Sequence, residues 1–186
     1  MNTYVSFNGT DLVASGDLGT VLHAVRALLD ADTIAQPLIF EEWTGRQVDF
    51  DMRRDVADIV AEATGEPVSR GPGRPRLGVV AREVTLLPRH WDWLAQQSGG
   101  ASATLRRLVD EARRNESPRD IARRTAHAVG RIMTVVAGDL TGFEEAYRAL
   151  DAGDGERFTG LIRDWPEGVK GYLQAAMAGA FADSSS

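Results

Sequence analysis

The stretch Ser69-Arg70-Gly71-Pro72-Gly73-Arg74-Pro75-Arg76-Leu77-Gly78 sets the first limit on how this chain can fold. Its three glycines and two prolines deny it both a helix and a central strand, so the chain divides there. Four segments result: an acidic α+β domain over residues 1–67, a Gly/Pro/Arg linker over 68–81, a basic segment over 82–116 and a helical C-terminal domain over 117–186. At 186 residues and 43% hydrophobic the chain has enough apolar side chains to bury a core.

The expected fold class is α+β. Residues 4–7 and 12–15 are β-prone runs around Asn8-Gly9, whose tolerance of positive φ suits a type I′ hairpin. From Asp17 the period changes: Leu18, Val21, Leu22, Val25, Leu28 and Leu29 recur at spacings of three and four, one helical stripe. Residues 38–43 and 47–51, flanking Thr44-Gly45-Arg46, complete a ββαββ unit, and Val56, Ile59 and Val60 mark a short helix. Beyond the linker the spacing predicts a short strand at 82–87 and helices near 89–97 and 102–114. A longer helix opens at Ser117-Pro118 and ends near Gly138. Thr141 and Glu144 form a capping box for the next helix; Pro166 stops a further one and a last helix runs through Val169 to Met177.

Charge is distributed unevenly. The net value of −6 resolves into −8 over residues 1–67, +7 over 68–132 and −5 over 133–186. A nucleic-acid partner would have to meet the middle of the chain. With no cysteine there is no disulfide, thiolate nucleophile or Cys-based metal site. His23, His90 and His127 fall in different segments, and no nucleotide-binding loop or nucleophile elbow is present, so no metal, cofactor or catalytic residue is expected. Asp49 and Asp51 would share one face of a strand, but alternation with Val48 and Phe50 reads as a solvent face opposite a core face. Neither a membrane-spanning apolar run nor a secretory signal pattern is seen, which makes a cytoplasmic protein with no membrane partner the expectation.

Residues 82–114 run strand, helix, glycine turn, helix: Arg82-Glu83-Val84-Thr85-Leu86-Leu87-Pro88-Arg89, then Gly99-Gly100-Ala101-Ser102, then Leu105-Arg106-Arg107. The order resembles the ribbon-helix-helix family of dimeric bacterial DNA-binding proteins. That resemblance implies a two-stranded ribbon, one strand from each copy, in the major groove, with the second helix's N-terminus on phosphate. Two registers are open for the strand. With Leu87 inward, Arg82, Val84 and Leu86 face the groove; in the other, Glu83 and Thr85 do, and either gives poor direct base readout. Pro72-Gly73-Arg74-Pro75-Arg76 is similar to an AT-hook, which lays arginine along the minor groove of A·T-rich DNA. Trp91 and Trp93, around Asp92, could stack on a base or ligand, but amphipathic core packing is the commoner fate of such residues and is the expectation.

Over its full length the chain resembles an uncharacterised bacterial family, domain of unknown function 2239, through Arg74-Pro75-Arg76-Leu77-Gly78-Val79-Val80 onward to Leu94, Leu105-Arg106-Arg107-Leu108-Val109, Ala137-Gly138-Asp139-Leu140 and Val48-Asp49-Phe50-Asp51. That family brings no activity with it. The expected function is a homodimeric, non-enzymatic DNA-binding protein contacting DNA through Arg74, Pro75, Arg76, Arg82, Arg89, Ser102 and Arg106. The alternative is a protein-interaction or dimerisation module whose basic stretch docks on acidic segments.

Overall fold

The computed structural model describes residues 3–32, 34–64 and 83–182, with side chains up to residue 178. The fold is α+β, an antiparallel four-stranded sheet followed by helices. Strand β1 (Tyr4–Asn8) pairs with β2 (Asp11–Gly16) as the hairpin expected at Asn8-Gly9. The turn type differs. Asn8 pairs with Asp11, so Gly9 and Thr10 are central, and Gly9 alone takes positive φ, at 60°. That is the arrangement of a II′ turn; a I′ turn requires positive φ at both central residues.

Helix α1 (Leu18–Ala31) starts where the periodicity changes, capped by Asp17, whose carboxylate accepts the Thr20 N–H at 3.0 Å and the Thr20 hydroxyl at 2.6 Å. Strands β3 (Leu38–Glu41) and β4 (Arg46–Val48) complete the ββαββ unit in the order β2-β1-β3-β4. Both are shorter than the sequence suggests. The Glu41 carbonyl accepts the Gly45 N–H at 2.8 Å and closes a turn, and Gly45 supplies its φ of 65°. Beyond Val48 the chain bends again, Asp51 accepting the Arg53 backbone N–H at 3.2 Å and its Nε at 2.8 Å. Asp49 and Asp51 therefore share no strand face. Helix α2 (Val56–Thr64) follows.

Strand β1 is buried over four consecutive residues, and its alternation explains why. Tyr4 joins Ile39, Leu18, Val21, Leu22, Val25, Val56 and Ile59 in a core beneath α1 and α2. Val5 and Phe7 point the other way with Phe40, into a second core built from the C-terminal helices. Those are α5 (Pro118–Ala137), α6 (Phe143–Asp151), α7 (Gly155–Leu161) and α8 (Glu167–Ala182). Ile132 and Met133 of α5 and Leu173 and Met177 of α8 are fully or almost fully buried there. The Tyr172 ring stands edge-on to Phe7 at 5.3 Å and 81°, and burial, with Glu42 second, pushes its phenol above the ordinary value. Residues 1–70 and 118–186 thus make one compact unit and 71–117 a second, although the sequence reads as separate N- and C-terminal domains. A sheet apolar on both faces cannot stop at one helical layer.

The expected start of α5 at Pro118 matches the structure and the last helix runs through Val169 to Met177, but α7 ends at Leu161, so Ile162 and Trp165 lie beyond it and Pro166 is not what stops it. The capping box at Thr141 and Glu144 does not form. Helix α6 is entered through Gly142 at φ 80° without a side-chain cap, and the Thr141 carbonyl instead accepts Trp165 Nε1–H at 3.0 Å. Two glycines let the halves of this unit meet. A Cβ on Gly168 of α8 would lie 2.5 Å from the Leu12 backbone nitrogen and 2.7 Å from the Thr10 carbonyl, and one on Gly45 would overlap the Ala128 carbonyl of α5.

Gly168→Ala should lower stability by about 1–3 kcal/mol through this clash, read as a fall of several degrees in the melting temperature. Gly160→Ala, in α7 with open space around its Cβ position, is the matched control, with stability unchanged or raised by up to about 1 kcal/mol. A pH effect follows from the Asp17 cap. The Thr20 hydroxyl, then the Thr20 N–H, hold its carboxyl below the ordinary carboxylate value, so the stabilisation is present above that value and is lost as pH falls through the lowered one. Denaturation curves between about pH 5 and 2 should show Asp17→Asn flattening that acid loss while keeping the cap.

Candidate nucleic-acid interface

The second unit is described from residue 83. Residues 83–87 make no strand; Leu87 is extended at φ −66° and ψ 148° and leads into α3 (Pro88–Ala95), with proline in the first turn, where a missing N–H costs nothing. The strand expected at 82–87 is thus not formed over its described part, 83–87, for which the described residues offer no ladder partner; Arg82 lies outside them. Gly99 and Gly100, at φ 91° and 75°, turn the chain into α4 (Gly100–Arg114). Both glycines sit in the left-handed region that a side chain disfavours.

Packing between these helices is thin. Leu94 and Thr104 are buried, but Leu87, Trp91 and Trp93 are 50%, 43% and 48% exposed. The two tryptophans therefore do not pack in a core of the single chain. On α4, Ala101, Leu105, Leu108, Val109 and Ala112 recur at helical spacing as one stripe, along which Val109 is 56% exposed. An apolar stripe of this kind on two short helices is a surface that wants covering.

The residues expected to meet DNA divide into two groups. Arg74, Pro75, Arg76 and Arg82 lie outside the described residues, as does the linker over 68–81. Arg89, Ser102 and Arg106 are all exposed. Ser102 and Arg106, one turn apart, share a face of α4, while Arg89 stands on the first turn of α3 and makes no hydrogen bond or ion pair with them among the described residues. Ser102 does not cap α4; Gly99 holds that place with no side-chain hydrogen bond, and no acidic side chain occupies the first turn. The helix end therefore keeps its positive dipole uncompensated by side chains.

Electrostatically the module is balanced. Residues 83–117 carry five arginines and five carboxylates. Arg107 pairs with Glu111 at 3.7 Å. The positive surplus of the central stretch comes instead from its two ends: four arginines and no acid in 68–82, and four arginines with Asp120 alone in 118–132. The second of these groups lies on α5, in the other unit. Net charge carries no information about which element bears it, so the sequence alone places the surplus on the stretch as a whole.

Among the described residues no group of three or more His, Asp or Glu side chains could hold a metal ion, and no helix is long and apolar enough to cross a membrane. A groove of about 540 Å³ between α7 and α8 is lined by Glu156, Thr159, Gly160, Arg163, Lys170 and Gln174, away from residues 1–67. A family model described as an uncharacterized protein conserved in bacteria, DUF2239, matches residues 3–177. No curated protein and no solved structure matches the chain.

Leu94 and Thr104 are the buried side chains of α3 and α4, so the pairing of these helices depends heavily on Leu94. Leu94→Ala should speed amide hydrogen exchange across residues 88–114 while leaving β1, α1 and α8 protected as before, measured by mass spectrometry on the full chain.

Proposed function

We propose that this chain, which belongs to the DUF2239 family of bacterial proteins, is a dimeric DNA-binding protein whose dimer forms through residues 83–117. The observation that carries the reading is the incompleteness of that module: residues 83–87 have no ladder partner among the described residues, and they stand beside two helices whose apolar stripe is exposed. Pairing residues 83–87 of two copies antiparallel would satisfy the backbone groups, and the same two-fold would bury Leu105, Leu108 and Val109 against their counterparts. Such a ribbon would be flanked by the arginines at 74, 76 and 82, whose contacts with phosphate or groove would supply most of the affinity. Arg89, Ser102 and Arg106 would add contacts from the helices.

A second reading is favoured by the charge balance of residues 83–117: a dimerisation or protein-interaction module that binds no duplex. One experiment separates the two. Gel-shift titrations on A·T-rich and G·C-rich duplexes at two salt concentrations should give retention that weakens with salt, the log–log slope flattening by about 0.9 for each phosphate contact removed. Arg74→Ala with Arg76→Ala should weaken retention, most on A·T-rich duplex. Leu108→Glu with Val109→Glu should yield a monomer in sedimentation and abolish the shift. A dimer that retains neither duplex at low salt selects the second reading.

A further inference from the structure

The arginines of α5 lie beside an aromatic side chain that the central module does not use. Trp43, at the β3–β4 turn, is 55% exposed, whereas Trp165 in the same unit is buried. The guanidinium carbon of Arg124 stands 3.8 Å from the centroid of the Trp43 ring, a cation–π stack. Arg131 Nη1 donates to the Thr44 carbonyl at 3.4 Å, and Gly45 rests on the α5 backbone, so the turn is seated on the helix. Arg124, His127 and Arg131, spaced by three and four, share one face of α5, with Arg119 and Arg123 alongside. The nearby acids are engaged: Asp120 with Arg123 at 3.1 Å, Glu41 with Arg46 at 3.0 Å, and Glu42 with the Ser15 hydroxyl at 3.4 Å.

We propose that Trp43, backed by the half-buried Arg124, and the exposed His127 and Arg131 of α5 form a contact site for single-stranded nucleic acid. An exposed indole held by a stacked guanidinium is a fixed platform for one further planar group, and the flanking cations stand where the adjoining phosphates would pass. Unpaired bases fit this description; bases within a duplex are already stacked and present only their edges. Because the site lies outside residues 71–117, it goes beyond the duplex-binding reading and can be tested apart from it.

The test is fluorescence anisotropy of a labelled oligothymidylate of about twelve nucleotides with the full chain carrying Arg74→Ala and Arg76→Ala. Added Trp43→Ala should weaken binding at least about fivefold, while Trp43→Phe, which keeps a ring, stays within about twofold of the parent. His127→Glu is on the surface and leaves the turn's packing alone; it too should weaken binding, keeping the proposal open to test if Trp43→Ala unfolds. No binding by the parent, equal binding by Trp43→Ala and the parent, or equal losses for Ala and Phe would each overturn the proposal. So would a fall in duplex affinity on Trp43→Ala as large as the fall for single strands. Loss of duplex retention with single-strand binding intact counts against the central module alone and leaves this site standing.

Discussion

Strand β1 must be covered twice. With Tyr4 on one side and Val5 and Phe7 on the other, a sheet built around it exposes apolar surface until both faces have a helical layer. Helices α1 and α2 are local and cover the first face. The second can be reached only by the chain beyond residue 117, and every later helix follows from that demand. Gly45 and Gly168 mark where the approach is closest, each leaving room for backbone against backbone where a methyl group would not fit. The hydrophobic term outweighs other choices here: each large side chain such as Phe7 or Phe40 gains about 1.5–3 kcal/mol on full burial, more than any exposed ion pair of this unit offers.

Much of this was legible from residue patterns. The β1–β2 hairpin, the change of period at Asp17, the apolar stripe of α1 and the Pro118 entry of α5 each rest on a local preference that the tertiary structure does not oppose. Where local preference competes, it loses. Thr141 and Glu144 have the right spacing for a capping box, yet Gly142 enters the helix in the left-handed region and Trp165 takes the Thr141 carbonyl. Asp49 and Asp51 alternate as strand residues would, but Arg53 draws Asp51 into a turn. The joining of the two ends of the chain was written in Tyr4-Val5-Ser6-Phe7, four residues of which only Ser6 is polar, and it too is buried. A half-buried strand would show more polar alternation than this.

Charge proved legible in amount and illegible in place. The +7 of residues 68–132 is a sum over three elements with different fates. Residues 83–117 at its centre cancel to neutrality, and α5 carries its share in the unit that also holds the acidic sheet. Exposed apolar side chains, rather than arginines, distinguish residues 83–117 from an ordinary surface. A periodicity argument finds such a stripe easily, but it assigns the stripe to a core without saying whether that core belongs to one chain or two.

The division of one unit into two stretches of sequence has a consequence for synthesis. Val5, Phe7 and Phe40 leave the ribosome long before Val129, Ile132 and Met133, with the whole second unit made in between. At 5–20 residues per second the uncovered face of the sheet waits on the order of 5–20 s for its helices. During that interval the nascent protein presents a half-finished apolar sheet. That makes its first 117 residues a natural client for a holding chaperone, and a chain cut short there a species prone to aggregate rather than a smaller working protein.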